Sequence, residues 1–146
     1  MERARVAAIP MFADLSEAEV AAIARVAYGI EVPAGKPLAT EGDFGHALFA
    51  IEGGTADVVI GDRTVRTVEA GDLVGEMAVL SSGRRTASVI ATSPLQAIAL
   101  FKRDVWALDD TAPAAAKRLR TALEERRAQD EQRVAAAPEP PLDAVQ

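Results

Sequence analysis

Residues 75 to 89 read Gly-Glu-Met-Ala-Val-Leu-Ser-Ser-Gly-Arg-Arg-Thr-Ala-Ser-Val, which puts a carboxylate, a segment able to start a short helix and an arginine within one stretch. A phosphodiester held in protein needs its charge neutralised without rearrangement, and free backbone N–H groups at a helix N-terminus supply fixed partial positive charge for that. Glu76 to Leu80 can form such a turn. A guanidinium completes the neutralisation, because it stays charged and its planar fork fits phosphate oxygens better than a lysine ammonium does. Arg85 is the candidate for that role. A sugar hydroxyl beside the phosphate calls for a strong, acceptor-only group, and an ionised Glu76 provides one.

The order of these parts resembles the phosphate-binding cassette of cyclic nucleotide-binding domains, the family of catabolite activator protein, kinase regulatory subunits and the ligand-binding domains of cyclic nucleotide-gated channels. There the cassette reads Gly-Glu, several apolar residues, then Arg-x-Ala-Ser or Arg-x-Ala-Thr. Gly75-Glu76 and Arg85-Thr86-Ala87-Ser88 match each element. The resemblance implies that Glu76 meets the ribose 2'-hydroxyl and Arg85 the phosphate. It further implies contacts from the Thr86 hydroxyl and from backbone N–H groups near Ala78 and Ala87, with Gly75 and Met77 in the same ligand-binding segment. Upstream, Ile9-Pro10-Met11-Phe12, Gly35, Glu41-Gly42-Asp43 and Ile51-Glu52-Gly53-Gly54 follow the family's order, so the resemblance covers roughly residues 9 to 108 and the helix after them. The competing reading is an ordinary loop ion pair between Glu76 and Arg85, worth about 0 to 1 kcal/mol at a surface. Either residue alone would favour it, but an ordered cassette after a run of strands is far less common by chance.

Thr86 bears on the base. In cGMP-binding relatives a threonine at this place can hydrogen-bond guanine, while strongly cAMP-selective kinase subunits usually carry alanine. The run from Gly83 to Val89 is similar to that of hyperpolarisation-activated channels, which respond to cAMP despite the threonine, so cAMP is favoured over cGMP. Thr86 also reads as a β-branched strand starter. In this family the base meets the last helix. Leu119 and Leu123, at i and i+4 on one helical face, are the expected caps together with Arg120, and the helix is expected to act as a lid ordered by ligand. The competing readings are a helix packed permanently on the β-structure and a dimer seam, although Arg126 and Asp130 spoil a coiled coil.

The elements that must position these residues are short. Ala47–Ile51, Ala56–Ile60, Thr64–Val68 and Ala87–Ala91 are rich in β-branched residues and read as antiparallel strands. Gly61-Asp62-Arg63 suits a tight hairpin, and Gly35, Gly42, Gly45, Gly53, Gly54, Gly61 and Gly71 separate segments as turn residues do. Ser16 and Glu19 resemble a capping box ahead of an apolar stripe of Val20, Ile23, Ala24 and Ala27, which predicts a helix ending near Gly29. Asp104–Leu108 predicts one short helix, and Pro113 the first turn of another running to about Arg133. The expected class is α+β, mainly β: an antiparallel β-roll, jelly-roll-like, with an N-terminal helix, a short phosphate-binding helix and C-terminal helices. Tyr28 and Trp106 are expected to pack helices against the roll. Residues 1–133 are expected to form one domain. The Pro- and Ala-rich tail 134–146 lacks apolar periodicity and is expected to be disordered.

The chain has 146 residues, 49% of them hydrophobic, enough for one core without cross-links. It has no cysteine, no charged leader followed by an apolar run, and no span long enough to cross a membrane. A cytoplasmic module without a membrane segment is expected. The net charge of -6 argues against a broad nucleic-acid surface, so the anion site must be local. With only the Pro-rich tail after the last helix, no DNA-reading helix-turn-helix is expected. His46 is the single histidine, expected in a loop or strand, and metal-assisted phosphodiester cleavage or a cupin-like metal centre would need more ligands. The expectation is therefore a regulatory sensor, not an enzyme, with no cofactor, a cyclic nucleotide as ligand and a protein effector or partner domain. The alternative is a degenerate domain that keeps the roll as an interaction scaffold.

Overall fold

The computed structural model describes the backbone of residues 1–43, 45–75 and 84–136, and the side chains of these residues except 123 and 126–136. Helix α1 (Arg3–Ala7) and a 3₁₀ turn (Pro10–Phe12) precede α2 (Glu17–Val26). The strands are β1 (Tyr28–Val32), β2 (Pro37–Ala39), β3 (Ala47–Gly53), β4 (Ala56–Ile60), β5 (Arg63–Val68), β6 (Leu73–Val74), β7 (Ser88–Ala91) and β8 (Leu95–Phe101). Helices α3 (Lys102–Thr111) and α4 (Pro113–Ala136) follow. One antiparallel sheet has the order β1-β8-β3-β6 and the other β2-β7-β4-β5. The expected β-roll with flanking helices is the observed architecture.

Two apolar clusters explain how the layers stack. Between the sheets lie Ala47, Phe49 and Ile51 of β3, Leu95, Ala97 and Ala99 of β8, and Ala56, Val58, Val68, Val89 and Ala91 from the facing sheet. The intervening residues Leu48, Ala50, Ile98 and Leu100 point the other way, into a cluster with Val6, Phe12 and Ile23, Val105 and Leu108, and Ala115 and Leu119 of the helices. Successive side chains of a strand face opposite sides, so β3 and β8 are apolar on both faces because helices cover one side and the second sheet the other.

Several boundaries differ from those the sequence predicts, each for a local reason. Helix α2 starts as expected, with Ser16 Oγ accepting from the Glu19 N–H at 3.2 Å, a cap worth about 1 kcal/mol. It ends at Val26 rather than near Gly29, because Ala27 is already extended and Tyr28 to Val32 pair with Ala99 to Leu95 of β8. The capping box is not reciprocal: Glu19 Oε1 accepts instead from the N–H of Ala115, in the first turn of α4, at 3.0 Å. Arg63 belongs to β5, leaving Gly61-Asp62 as a two-residue hairpin turn between Ile60 and Arg63. Tyr28 and Trp106 do not seal helices onto the sheet. Tyr28 lies in β1, 43% exposed, tilted against Phe101, and Trp106 is 55% exposed beneath the Lys102 ammonium. Helix α4 continues to Ala136, beyond the expected end at Arg133, while the rest of the Pro-rich tail lies outside the described residues.

Candidate functional site

Strand β6 delivers Gly75 to the site. Leu73 and Val74 pair with Ala50 and Phe49 of β3, and Gly75 then turns the chain at φ +83. An ideal Cβ at Gly75 would stand 2.7 Å from Arg85 Nη1 and 3.1 Å from the Ala47 carbonyl oxygen. Glycine suits this place because it adopts the left-handed conformation without steric cost and leaves room for the Ala47 carbonyl and the guanidinium.

Arg85 arrives from the other side on a segment zipped to the loop after β2. Its N–H donates to Asp43 O at 2.6 Å, its carbonyl accepts from the Gly42 N–H at 3.0 Å, and Arg84 Nη1 donates to Gly42 O at 2.8 Å. Three residues on, at the start of β7, Ser88 Oγ accepts from the Glu41 N–H at 2.8 Å. The Glu41 carboxylate in turn accepts from the Gly61 N–H of the β4–β5 hairpin, at 3.1 Å to each oxygen. The register that fixes Arg85 is thus built from backbone bonds together with the Ser88, Glu41 and Arg84 side chains.

The half-buried Arg85 side chain reaches across to β3. Nη2 donates to Ala47 O at 2.9 Å, and the guanidinium carbon stands 5.3 Å from the centre of the Phe49 ring. Nη1 is buried and has no hydrogen-bond acceptor among the described residues. Burial pushes Arg85 below the ordinary arginine pKa, partly opposed by the charge of Asp43, yet a guanidinium remains protonated throughout the working pH range. A buried cationic donor without an acceptor is costly, and an anion placed against Nη1 would relieve that cost.

The structure thus brings Gly75 and Arg85 together, with Thr86 exposed and Ala87 half-buried beside them. Glu76, Met77 and Ala78 lie outside the described residues, as does the side chain of Leu123. Leu119, expected to cap a base, is 2% exposed and packed in the helical cluster, and Arg120 pairs with Asp109 of α3. These two residues stand with the helices rather than beside Arg85, because α4 packs on α3, α2 and the 3₁₀ turn. Ala47 and Phe49, which hold the guanidinium, were missed in the sequence. The strand was legible, but a run apolar on both faces does not mark which of its residues meets an arginine distant in sequence. His46 precedes β3, where its carbonyl accepts from the Lys102 N–H at 2.8 Å. Among the described residues no group of three or more His, Cys, Asp or Glu could hold a metal ion, and no helix is long and apolar enough to cross a membrane.

A family model described as "Cyclic nucleotide-binding domain" matches residues 30–111. The chain is 35% identical over 122 residues to a cyclic nucleotide-gated potassium channel of Rhizobium etli, covering 83% of this chain and 34% of the channel. It therefore spans about a third of that relative's length. Among solved structures, the catabolite activator protein of Thermus thermophilus superposes with a TM-score of 0.76 at 30% identity, covering 86% of this chain and 62% of that one. A cyclic nucleotide-binding domain from Methylobacillus flagellatus gives a TM-score of 0.76 at 26% identity, with 95% of this chain and 83% of that one covered.

Proposed function

Because this chain belongs to the cyclic nucleotide-binding domain family, we propose that it is a regulatory sensor module that binds a cyclic nucleotide, cAMP in preference to cGMP, and passes occupancy to a protein effector. The observation that carries this reading is the buried Arg85 Nη1, which has no acceptor among the described residues and lies against the close approach of Gly75. In the proposed complex this N–H donates to an equatorial phosphate oxygen, a charge-assisted bond stronger than a neutral one. The Thr86 hydroxyl and the backbone N–H groups of the 75–88 cassette, with Ala78 and Ala87 allowing close approach, complete the phosphate shell. The Glu76 carboxylate accepts from the ribose 2'-hydroxyl. The module carries out no reaction in this reading: binding energy is used to shift a conformational equilibrium, which requires different affinities for the two states.

The lid in this proposal is α4. Leu119 is committed to the helical cluster, so contact of Leu119, Arg120 or Leu123 with a base requires α4 to give up part of its packing on α3 and the 3₁₀ turn. Ligand affinity then opposes the burial of those side chains, which is how occupancy would be transmitted to an effector.

Calorimetric titration with cAMP, cGMP and 5'-AMP tests the reading. Saturable one-site binding of a cyclic nucleotide, cAMP tighter than cGMP, with 5'-AMP much weaker, is the expected result. Absence of heat with all three, together with an unshifted melting temperature at saturating concentrations, would instead favour an interaction scaffold that has lost its ligand. A second measurement addresses the ribose. Glu76→Ala is expected to weaken binding by about 1.5 to 3 kcal/mol, the range for a hydrogen bond to a charged group. A 2'-deoxy cyclic nucleotide should show the same loss on the wild-type protein and little further loss on the variant, whereas additive losses would place Glu76 elsewhere.

A further inference from the structure

The geometry points to Phe49 as a positioning residue that aims the Arg85 guanidinium at the bound phosphate by holding it over the aromatic ring. The inference rests on the proposed cyclic nucleotide site and names the residue that preorganises it. Three observations converge on Phe49. Its ring centre lies 5.3 Å from the guanidinium carbon, within the range of a cation–π contact. It is 6% exposed on the inner face of β3, between Ala47, whose carbonyl accepts a hydrogen bond from Arg85 Nη2, and Ile51. It is also registered opposite Val74, the residue before Gly75. One side chain therefore touches the arginine and adjoins the strand that brings the close-approach glycine.

Arginine has many rotamers, and a side chain ordered only on binding loses affinity to that ordering. Here Nη2 is fixed by Ala47, and the ring face supports the guanidinium where water does not. Nη1 is left free to donate. The ring's negative quadrupole partly replaces the hydration that burial removes, so the cation is tolerated before an anion arrives. An aliphatic side chain of similar size would fill the space without that electrostatic support.

The test uses replacement of Phe49 by phenylalanines carrying one, two and three ring fluorines, which withdraw the quadrupole with little change in shape. Cyclic AMP affinity should fall stepwise with fluorine number, reaching roughly tenfold for the trifluoro ring, while the melting temperature stays near that of wild type. In the free protein, the Arg85 Nε–Hε resonance should shift along the same series, a readout that needs no ligand. Phe49→Leu should weaken cAMP binding in the wild-type background and have no further effect in an Arg85→Ala background. Equal affinity and an unmoved Arg85 resonance across the fluorinated series, in a protein that binds cAMP, would overturn the role of Phe49 and leave the binding site standing. A wild-type protein without saturable binding would overturn both.

Discussion

Arg85→Ala is expected to abolish most cyclic nucleotide affinity while leaving the protein at least as stable as wild type. The loss follows from removing one partner of a buried charge pair in the proposed complex, about 2 to 5 kcal/mol, or roughly thirtyfold to several thousandfold in Kd. The effect on stability runs the other way. Burial is the larger influence on Arg85 and lowers its pKa in the folded state. A cation whose folded pKa lies below its unfolded value weakens folding at every pH below the folded pKa, which for arginine is the whole working range. Nη1 is buried with no acceptor among the described residues, so truncation removes that burden along with the Ala47 hydrogen bond. Thermal unfolding and titration on the same preparation check both signs. A variant that keeps wild-type affinity, or one that loses affinity only because it has unfolded, would each contradict the expectation.

Gly54→Ala is expected to be the most damaging small substitution, costing about 3 kcal/mol of stability and roughly 10 °C in melting temperature. Gly54 adopts φ +84 in the turn between β3 and β4, and an ideal Cβ there would lie 2.2 Å from the Pro94 carbonyl oxygen and 3.0 Å from the Leu95 Cα. Those atoms are backbone at the start of β8 and cannot swing aside. The same place is stitched by Thr55, whose N–H donates to Ser93 Oγ at 2.9 Å and whose carbonyl accepts from the Thr92 N–H at 2.9 Å. Gly35→Ala is the control. Gly35 has nearly the same φ, +85, with nothing within 4 Å of its Cβ position, so it should cost only the left-handed strain, about 1 to 2 kcal/mol. Equal melting temperatures for the two variants would show that the contact with residues 94 and 95 relaxes.

Ala56–Ile60 was delimited correctly because β4 alternates and ends in a glycine turn. Strand β8, the most enclosed, carried no alternating signal, since Leu95, Ala97 and Ala99 serve one cluster and Ile98 and Leu100 the other. A run apolar on both faces has no visible period. Ala27 extended the apparent helical stripe of α2, but it is the extended residue that ends the helix, one place before Tyr28 begins the strand paired with β8. At the site, Arg85 and Gly75 were legible as residue types and spacing. Phe49 and Ala47 were not, because what they contribute is a ring face and a carbonyl on a strand distant in sequence. The position of Leu119 depended on tertiary packing that the helical spacing of Leu119 and Leu123 does not encode.

The tie between Glu19 and the first turn of α4 spans 96 residues of chain, and that between Arg118 and the carbonyls of Met11 and Ala13 more than 100. Leu119 closes the same cluster over Val6, Phe12 and Ile23. During synthesis the N-terminal helices are made first; β3, β8 and α3 cover part of their apolar faces, and the part that Ala115, Ala116 and Leu119 cover waits for α4. Contacts of such long separation form late and slow folding. The packing of the N-terminal helices is therefore complete only once α4 has been made, and a nascent chain stalled before Pro113 would leave part of those faces open to chaperones.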